Sequence, residues 1–295
     1  MKITLLGTGT PAPSITRQSS GYAVETGNDL LVFDHGPGAH QRLLEAGYRA
    51  TDVTHFFFTH YHYDHLMDYP RLLLTRWDHG APDLPQLKVF GPAPLAEINN
   101  RVMGPDGLFA LDIAARINSP ASQAVYQARG GSGPRPGPMP ELREVAAGDR
   151  IEGDGWTVTA GPVRHVQPDL NCLGYRIETP EGALVYSGDN GGVYEPFIAF
   201  AKGADILIHM NHFLSGTEAT PEYRRMSGSH LDNAETARRA GVKTLVLTHF
   251  LPMLDQPGVK ERMVAEMHEN FKGTIILGED LMQIPLDIEG PTTAD

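Results

Sequence analysis

Three histidines and an aspartate fall within six residues at His60-Tyr61-His62-Tyr63-Asp64-His65, directly after the apolar run Phe56-Phe57-Phe58 and Thr59. Side chains two apart in an extended segment point the same way, so His60 and His62 can grip one cation, while Asp64 and His65 can face a second. A solvated polar turn would account for such a cluster on its own, but the pattern recurs. Leu30-Leu31-Val32-Phe33 ends in Asp34, the run from Trp156 ends in Val163-Arg164-His165, Ala183-Leu184-Val185-Tyr186 ends in Ser187-Gly188-Asp189, and Leu245-Val246-Leu247 ends in Thr248-His249. Strand ends gather along one rim of a sheet, where ligands from distant parts of a chain converge in a cleft.

Imidazoles and carboxylates without a thiolate suit Zn²⁺, with Fe or Mn as alternatives. Seven ligands exceed what one tetrahedral ion takes. Divided as His60, His62 and His165 on one ion and Asp64, His65 and His249 on another, with Asp189 bridging, they leave room for a shared water. Two cations roughly 3.5–4 Å apart would turn that water into a hydroxide near neutral pH, which makes the expected site hydrolytic.

The rest of the chain fits a globular enzyme. Its 295 residues are 41% hydrophobic and 20% charged, and no apolar run approaches the roughly 18 residues needed to cross a bilayer. A polar, Gly-rich start without a signal-peptide core points to the cytoplasm. The single cysteine, Cys172, allows no intrachain disulfide and is expected to be buried packing. A formal charge of −12 argues against a large polyanionic partner, because nucleic-acid affinity rests on Lys and Arg neutralising phosphates.

Short runs rich in Val, Ile, Phe and Leu predict strands near 2–7, 21–25, 30–34, 53–58, 86–90, 156–163, 173–178, 183–187, 205–209, 244–248 and 274–277. Helical patterns fall near 38–46, 65–77, 92–102, 108–117, 193–202, 231–240 and 258–271, the second with Asp64 as its cap. Residues 129–140 hold eight Gly or Pro in twelve positions and must be a loop. We read that loop as an excursion within a single domain spanning 1–295. The stretch 92–128 is either a helical lid over the cleft or ordinary packing, with Met103 and Phe109 as the side chains that would tell.

These motifs resemble the metallo-β-lactamase superfamily, within it the branch of ribonuclease Z and the related arylsulfatases and cyclic-nucleotide phosphodiesterases. The resemblance runs from Leu5-Leu6-Gly7-Thr8-Gly9 through Phe33-Asp34-His35-Gly36, the His60 to His65 cluster, Phe90-Gly91-Pro92, Ser187-Gly188-Asp189 and Leu247-Thr248-His249-Phe250 to Asp280-Leu281-Met282-Gln283-Ile284. It implies an αββα sandwich, two facing sheets with helices outside and a dinuclear site at one edge. It also implies the ligand division above, with Asp34 behind the ligands and hydrogen-bonded to the ligand loop, and a homodimer.

Two departures bear on function. Ribonuclease Z enzymes carry a His-Glu-Ala-Thr segment whose Glu orients a catalytic His; here the segment reads His209-Met210-Asn211-His212, and the matching His is His230. The long tRNA-gripping arm of bacterial ribonuclease Z has no room here, since His165 and Asp189 are 24 positions apart. The expected function is therefore a dizinc hydrolase in which a bridging hydroxide attacks a small ester-like substrate: a phosphodiester, sulfate ester, lactone or activated aryl compound. Asp64 or His230 would handle the proton, and His212 and Asn211 would contact substrate. The alternatives are a tRNA 3′-processing endonuclease of the ribonuclease Z type and a metal-binding sensor without turnover.

Overall fold

Along β3 (Asp29–His35) successive side chains serve two different cores. Leu31 and Phe33 join one buried cluster, while Leu30 and Val32 join another on the opposite face. That alternation is what a strand covered on both faces requires. The structure, a computed structural model, describes residues 1–286.

The first sheet is built from β1 (Lys2–Gly7), β2 (Gly21–Thr26), β3, β4 (His55–Phe57), β5 (Lys88–Gly91) and β6 (Glu141–Glu144). The second takes β7 (Arg150–Gly153), β8 (Trp156–Pro162), β9 (Leu173–Thr179), β10 (Gly182–Tyr186), β11 (Ile206–Met210), β12 (Thr244–Thr248) and β13 (Thr274–Leu277). The last strand, β14 (Gln283–Ile284), returns to pair antiparallel with β1. The orders are β14-β1-β2-β3-β4-β5-β6 and β13-β12-β11-β10-β9-β8-β7. From β3 to β6 and from β10 to β13 the neighbours run parallel.

The inner core lies between the sheets and includes Ile3, Phe33, Phe57, Tyr175, Tyr186, Ile208 and Val246. Helices α1 (Ala39–Glu45), α2 (Tyr63–Leu66), α3 (Tyr69–His79), α4 (Leu95–Met103), α5 (Ala110–Asn118) and α6 (Pro120–Ala128) accompany the first sheet. Of these, α1, α3, α4 and α5 contribute buried side chains to its outer cluster. Helices α7 (Glu195–Ala201), α8 (Pro221–Met226), α9 (His230–Ala240) and α10 (Val259–Asn270) follow. On the second sheet, Phe197, Ala234, Ala237, Met263 and Met267 cover Val185, Leu207, Leu245 and Leu247. The result is the expected αββα sandwich.

Three details differ from the sequence expectation. The helix predicted over 65–77 is two helices, α2 and α3, because Pro70 has no N–H to bond Leu66 O and its ring would crowd that carbonyl, whereas Pro fits the first turn of a new helix. Asp64 is therefore inside the first turn of α2 rather than its cap, and Asp68 begins α3. Strands β6, β7 and β14 and helices α6 and α8 were not predicted. Residues 129–140 form no helix or strand, as expected. The 92–128 stretch gives Met103 and Ile113 to the outer core of the first sheet, whereas Leu108 and Leu111 are exposed. No helix among the described residues is long and apolar enough to cross a membrane.

Candidate metal centre

The C-terminal ends of β3, β4, β10, β11 and β12, together with that of β8, open on one rim where the two sheets meet. Cross-sheet hydrogen bonds fix that meeting: Tyr175 donates its hydroxyl to Phe58 O at 2.7 Å, the Leu173 N–H reaches Thr59 O at 2.9 Å, and the Tyr22 hydroxyl lies 2.9 Å from Thr248 Oγ1. Backbone conformations at the rim are unusual. Asp34 and His249 take φ of 54° and 61° without being glycine. Gly36 has to be glycine, since a Cβ there would lie 1.8 Å from Asp64 O.

Two groups of potential ligand atoms gather at this rim, each within 4.8 Å: His60, His62, His165 and Asp189 in one, Asp64, His65 and His249 in the other. Asp189 faces both. Its Oδ2 lies 3.9 Å from His60 Nε2 and 3.5 Å from His165 Nε2, and its Oδ1 lies 3.5 Å from His65 Nε2 and 3.6 Å from His249 Nε2. Asp64 Oδ2 stands 3.2 Å from His249 Nε2 and 3.5 Å from His65 Nε2.

Hydrogen bonds behind the rings decide which nitrogens are left with a lone pair. His65 donates Nδ1–H to Asp34 Oδ2 at 2.8 Å. His165 donates Nδ1–H to Met226 O at 2.6 Å. Thr59 gives its hydroxyl proton to Asp34 Oδ2 at 2.7 Å, so its oxygen accepts from His60 Nδ1–H at 3.0 Å. In each of these rings, when neutral, Nε2 carries the lone pair and is turned toward the cluster, the tautomer a cation needs. His65 Nε2 and Asp189 Oδ1 are buried with no hydrogen-bond partner in the protein. Orphaned acceptors, lone pairs crowded face to face and an all-His/Asp donor set together fit a divalent cation, and Zn²⁺ in particular by ligand type.

Electrostatics keep two of the rings neutral, while His65 would bind a cation by giving up a proton. Burial and the neighbouring His65 hold His60 well below the ordinary imidazole range, and burial with His165 lowers His62, so both rings stay neutral and ready to ligate. Burial also acts to lower His65, but Asp64, Asp189 and Asp34 outweigh it and push the ring upward. Burial acts to raise Asp64 and Asp189, yet the surrounding imidazoles win and hold both carboxylates below their usual range.

The remaining sequence candidates separate. His212 joins the site, with its Nδ1 3.1 Å from His249 Nδ1 and its ring 5.9 Å from that of Tyr223. Burial and then His249 push it down to about 4. Asn211 is fully buried beneath the rim, accepting from Asn233 at 3.2 Å, with its Nδ2 unpartnered. The structure does not bring His230 into the cluster. Its Nδ1 accepts the Ser215 N–H at 3.1 Å and its Nε2 lies 2.7 Å from Glu266 Oε2, so both nitrogens are engaged. Glu266 escaped sequence reasoning because it lies on α10, 36 positions downstream.

Comparison with known proteins follows the same lines. The family described as beta-lactamase superfamily domain matches residues 28–250. A relative named ribonuclease Z, from Mycobacterium sp. strain KMS, is 33% identical over 290 residues, covering 96% of this chain and 95% of its own. Among solved structures, the metallo-beta-lactamase fold protein YhfI from Bacillus subtilis superposes with a TM-score of 0.73 at 20% identity, covering 96% of this chain and 98% of YhfI. The short form of human tRNase Z does so with a TM-score of 0.70 at 21% identity, covering 98% and 100%.

Proposed function

The chain belongs to the metallo-β-lactamase superfamily of metal-dependent hydrolases, and on that premise we propose that it uses two Zn²⁺ ions to hydrolyse a small ester-like substrate in the cytoplasm. The observation that carries the two-ion reading is Asp189, whose separate oxygens face the two ligand groups. Ions held there, when bound, acidify water and draw charge from the ester oxygens. His60, His62, His165 and Asp189 would hold one, and Asp64, His65 and His249 the other with Asp189.

The chain's own residues supply the proton traffic. Asp64 keeps Oδ2 toward His249 and His65 and offers Oδ1 to the proton of the attacking water. His249, with Nε2 turned to the cluster, carries its proton on Nδ1 and donates it to His212 Nδ1. His212 is then protonated on Nε2, which makes no hydrogen bond to protein among the described residues. That N–H would donate a hydrogen bond to the charge developing on the oxygen that leaves. His230, with both nitrogens engaged, acts through the loop it anchors rather than on substrate, and buried Asn211 ties the end of β11 to α9 through Asn233.

A small substrate is supported by how the cations beside His165 are used. Arg164 donates to Arg225 O and Gly191 O, Arg224 forks onto Asp232 at 2.7 and 2.9 Å, and Arg225 pairs with Glu222 at 2.9 Å. Arginines held this way offer little to an RNA backbone. A second reading, tRNA 3′-end cleavage, is favoured by the mycobacterial relative's name. The absence of room for a long arm after His165 does not separate the two, because 290 aligned residues cover 95% of that relative too.

The deciding experiment is hydrolysis by zinc-loaded protein of a panel comprising a bis-aryl phosphodiester, an aryl phosphate, an aryl sulfate, an aryl ester, a lactone and a tRNA precursor with a 3′ trailer. Asp189→Ala is the control. Turnover of one small ester class, lost in the control and scaling with about two metals per chain, is the expected result. Cleavage of the precursor alone would establish the second reading, and full metal loading with no turnover would overturn both.

A further inference from the structure

Asp189 and His165 reach one ligand group from strands that are not neighbours. His165 follows β8 and Asp189 follows β10, with β9 between them in the sheet. Two strand spacings put those exits roughly 9–10 Å apart, so something must draw the two loops together. Asn190, fully buried, bridges that gap.

Its side chain is used at both ends. Oδ1 accepts the backbone N–H of Arg164, the residue before His165, at 2.9 Å, and Nδ2 lies 3.1 Å from His209 Nε2. The direction of each bond follows from His209. That ring donates Nδ1–H to Met210 O at 2.9 Å, so its Nε2 is an acceptor and must receive the amide N–H of Asn190. With the amide pinned that way round, its oxygen faces Arg164. Burial pushes His209 down to about 4, which keeps the ring neutral and this directionality intact at working pH. Met210 Sδ takes the Asn190 backbone N–H at 3.1 Å, and the Gly191 N–H reaches Arg164 O at 2.9 Å, so the two loops are stitched on both sides of Asn190.

We propose that Asn190 is a positioning residue that sets Asp189 and His165 at cation-binding distance from each other, with His209 fixing the direction of its amide. This rests on reading His165 and Asp189 as members of one cation group. An alanine at 190 leaves Arg164 N–H and His209 Nε2 without partners and frees the His165 loop. An aspartate keeps the acceptor for Arg164, the bond that ties down the His165 loop, and loses only the donor to His209.

The test is a chelator-competition titration with zinc alone, run on protein stripped of metal, and a parallel Co²⁺ absorption spectrum. Wild type, Asn190→Ala, Asn190→Asp and His165→Ala are compared. Asn190→Ala is expected to weaken the zinc step that His165→Ala also weakens, by about 10–100-fold, to leave the other step within about threefold, and to alter the Co²⁺ spectrum. Asn190→Asp is expected to restore the affinity to within about threefold of wild type. Wild-type affinities and spectrum in Asn190→Ala, or a loss in Asn190→Asp as large as in Asn190→Ala, would overturn the proposal. Should His165→Ala change neither step, it is the ligand assignment that fails, not the role of Asn190. If Asn190→Ala does not fold by circular dichroism, His209→Phe replaces it, with a loss of about 3–10-fold in the same step expected; unchanged affinity in both steps would again overturn the proposal.

Discussion

His65 and Asp34 are joined by a 2.8 Å hydrogen bond from Nδ1 to Oδ2, and that one carboxylate oxygen also takes the hydroxyl protons of Thr59 at 2.7 Å and Tyr186 at 2.8 Å. Asp34 Oδ1 accepts the Thr59 N–H at 2.8 Å. One buried carboxylate thus orients His65 and Thr59, and through Thr59 also His60. Asparagine tolerates the left-handed backbone of Asp34 but cannot accept on both atoms, so Asp34→Asn must aim an NH₂ group at donors. We expect a loss of about 2–3 kcal/mol of stability and of about 10–100-fold in zinc affinity. Denaturant unfolding and chelator competition check this; wild-type zinc affinity in the variant would show that the carboxylate is dispensable to the ligands.

The candidate ligand groups could be read in the sequence because each member lies within a few residues of the end of an apolar run, and strand ends converge on one rim. Other parts carried no such signal. Strand β6, Glu-Leu-Arg-Glu, and strand β7, Arg-Ile-Glu-Gly, are edge strands whose side chains are mostly exposed, so neither shows an apolar alternation. No residue of α6 or α8 is buried, and these helices lack the stripe that marks a helix packed on a core. The Asn190 bridge and the Glu266 partner of His230 are tertiary contacts between groups 26 and 36 positions apart. Nothing local distinguishes such residues from any other Asn or Glu.

His212 and His230 should respond differently to truncation. His212→Ala removes the N–H offered to the leaving oxygen, and kcat measured at saturating zinc should fall about 100-fold. His230→Ala leaves the Ser215 N–H unpaired and Glu266 Oε2 without its ring partner, with Arg262 still on Oε1, and the unpaired N–H should cost about 1–3 kcal/mol of stability. Glu266→Gln, which keeps an acceptor for the ring, should retain most of that stability. Steady-state kinetics, metal analysis and unfolding curves on the three variants check the split. A kcat loss in His230→Ala at full stability would return the acid role to that residue.

Met103 is buried on α4 against the outer core of the first sheet, together with Leu72, Val89, Leu95 and Ile113. Met103→Ala should therefore behave as a core truncation, destabilising by about 2–5 kcal/mol with unchanged kcat/KM. Calorimetry and kinetics at a temperature where the variant is folded decide it. A changed KM or substrate preference without loss of stability would instead identify the segment as a cover of the cleft.

Acid should weaken the fold through a histidine pair away from the ligands. His35 Nε2 lies 3.4 Å from His40 Nδ1, and both rings are buried. Burial, each ring's surroundings and Arg71 on α3 disfavour their charged forms: His35 is held well below the ordinary range and His40 is pushed down to about 4, against an opposing pull from Asp68. In the unfolded chain both titrate near 6.5. Below that value the unfolded state binds protons that the folded state refuses, so stability is fully present above about pH 6.5 and falls as the pH is lowered toward 4, by up to about 1.4 kcal/mol per pH unit for each ring. The proposed cation ligands would also lose metal in acid, which makes a single pH curve ambiguous. The difference between wild type and His40→Leu, both stripped of metal and unfolded in urea at pH 7.5, 6.0 and 5.0, removes that contribution. We expect the wild-type advantage to shrink as the pH falls; a difference that stays constant across the three values would mean that His40 takes up protons equally in both states.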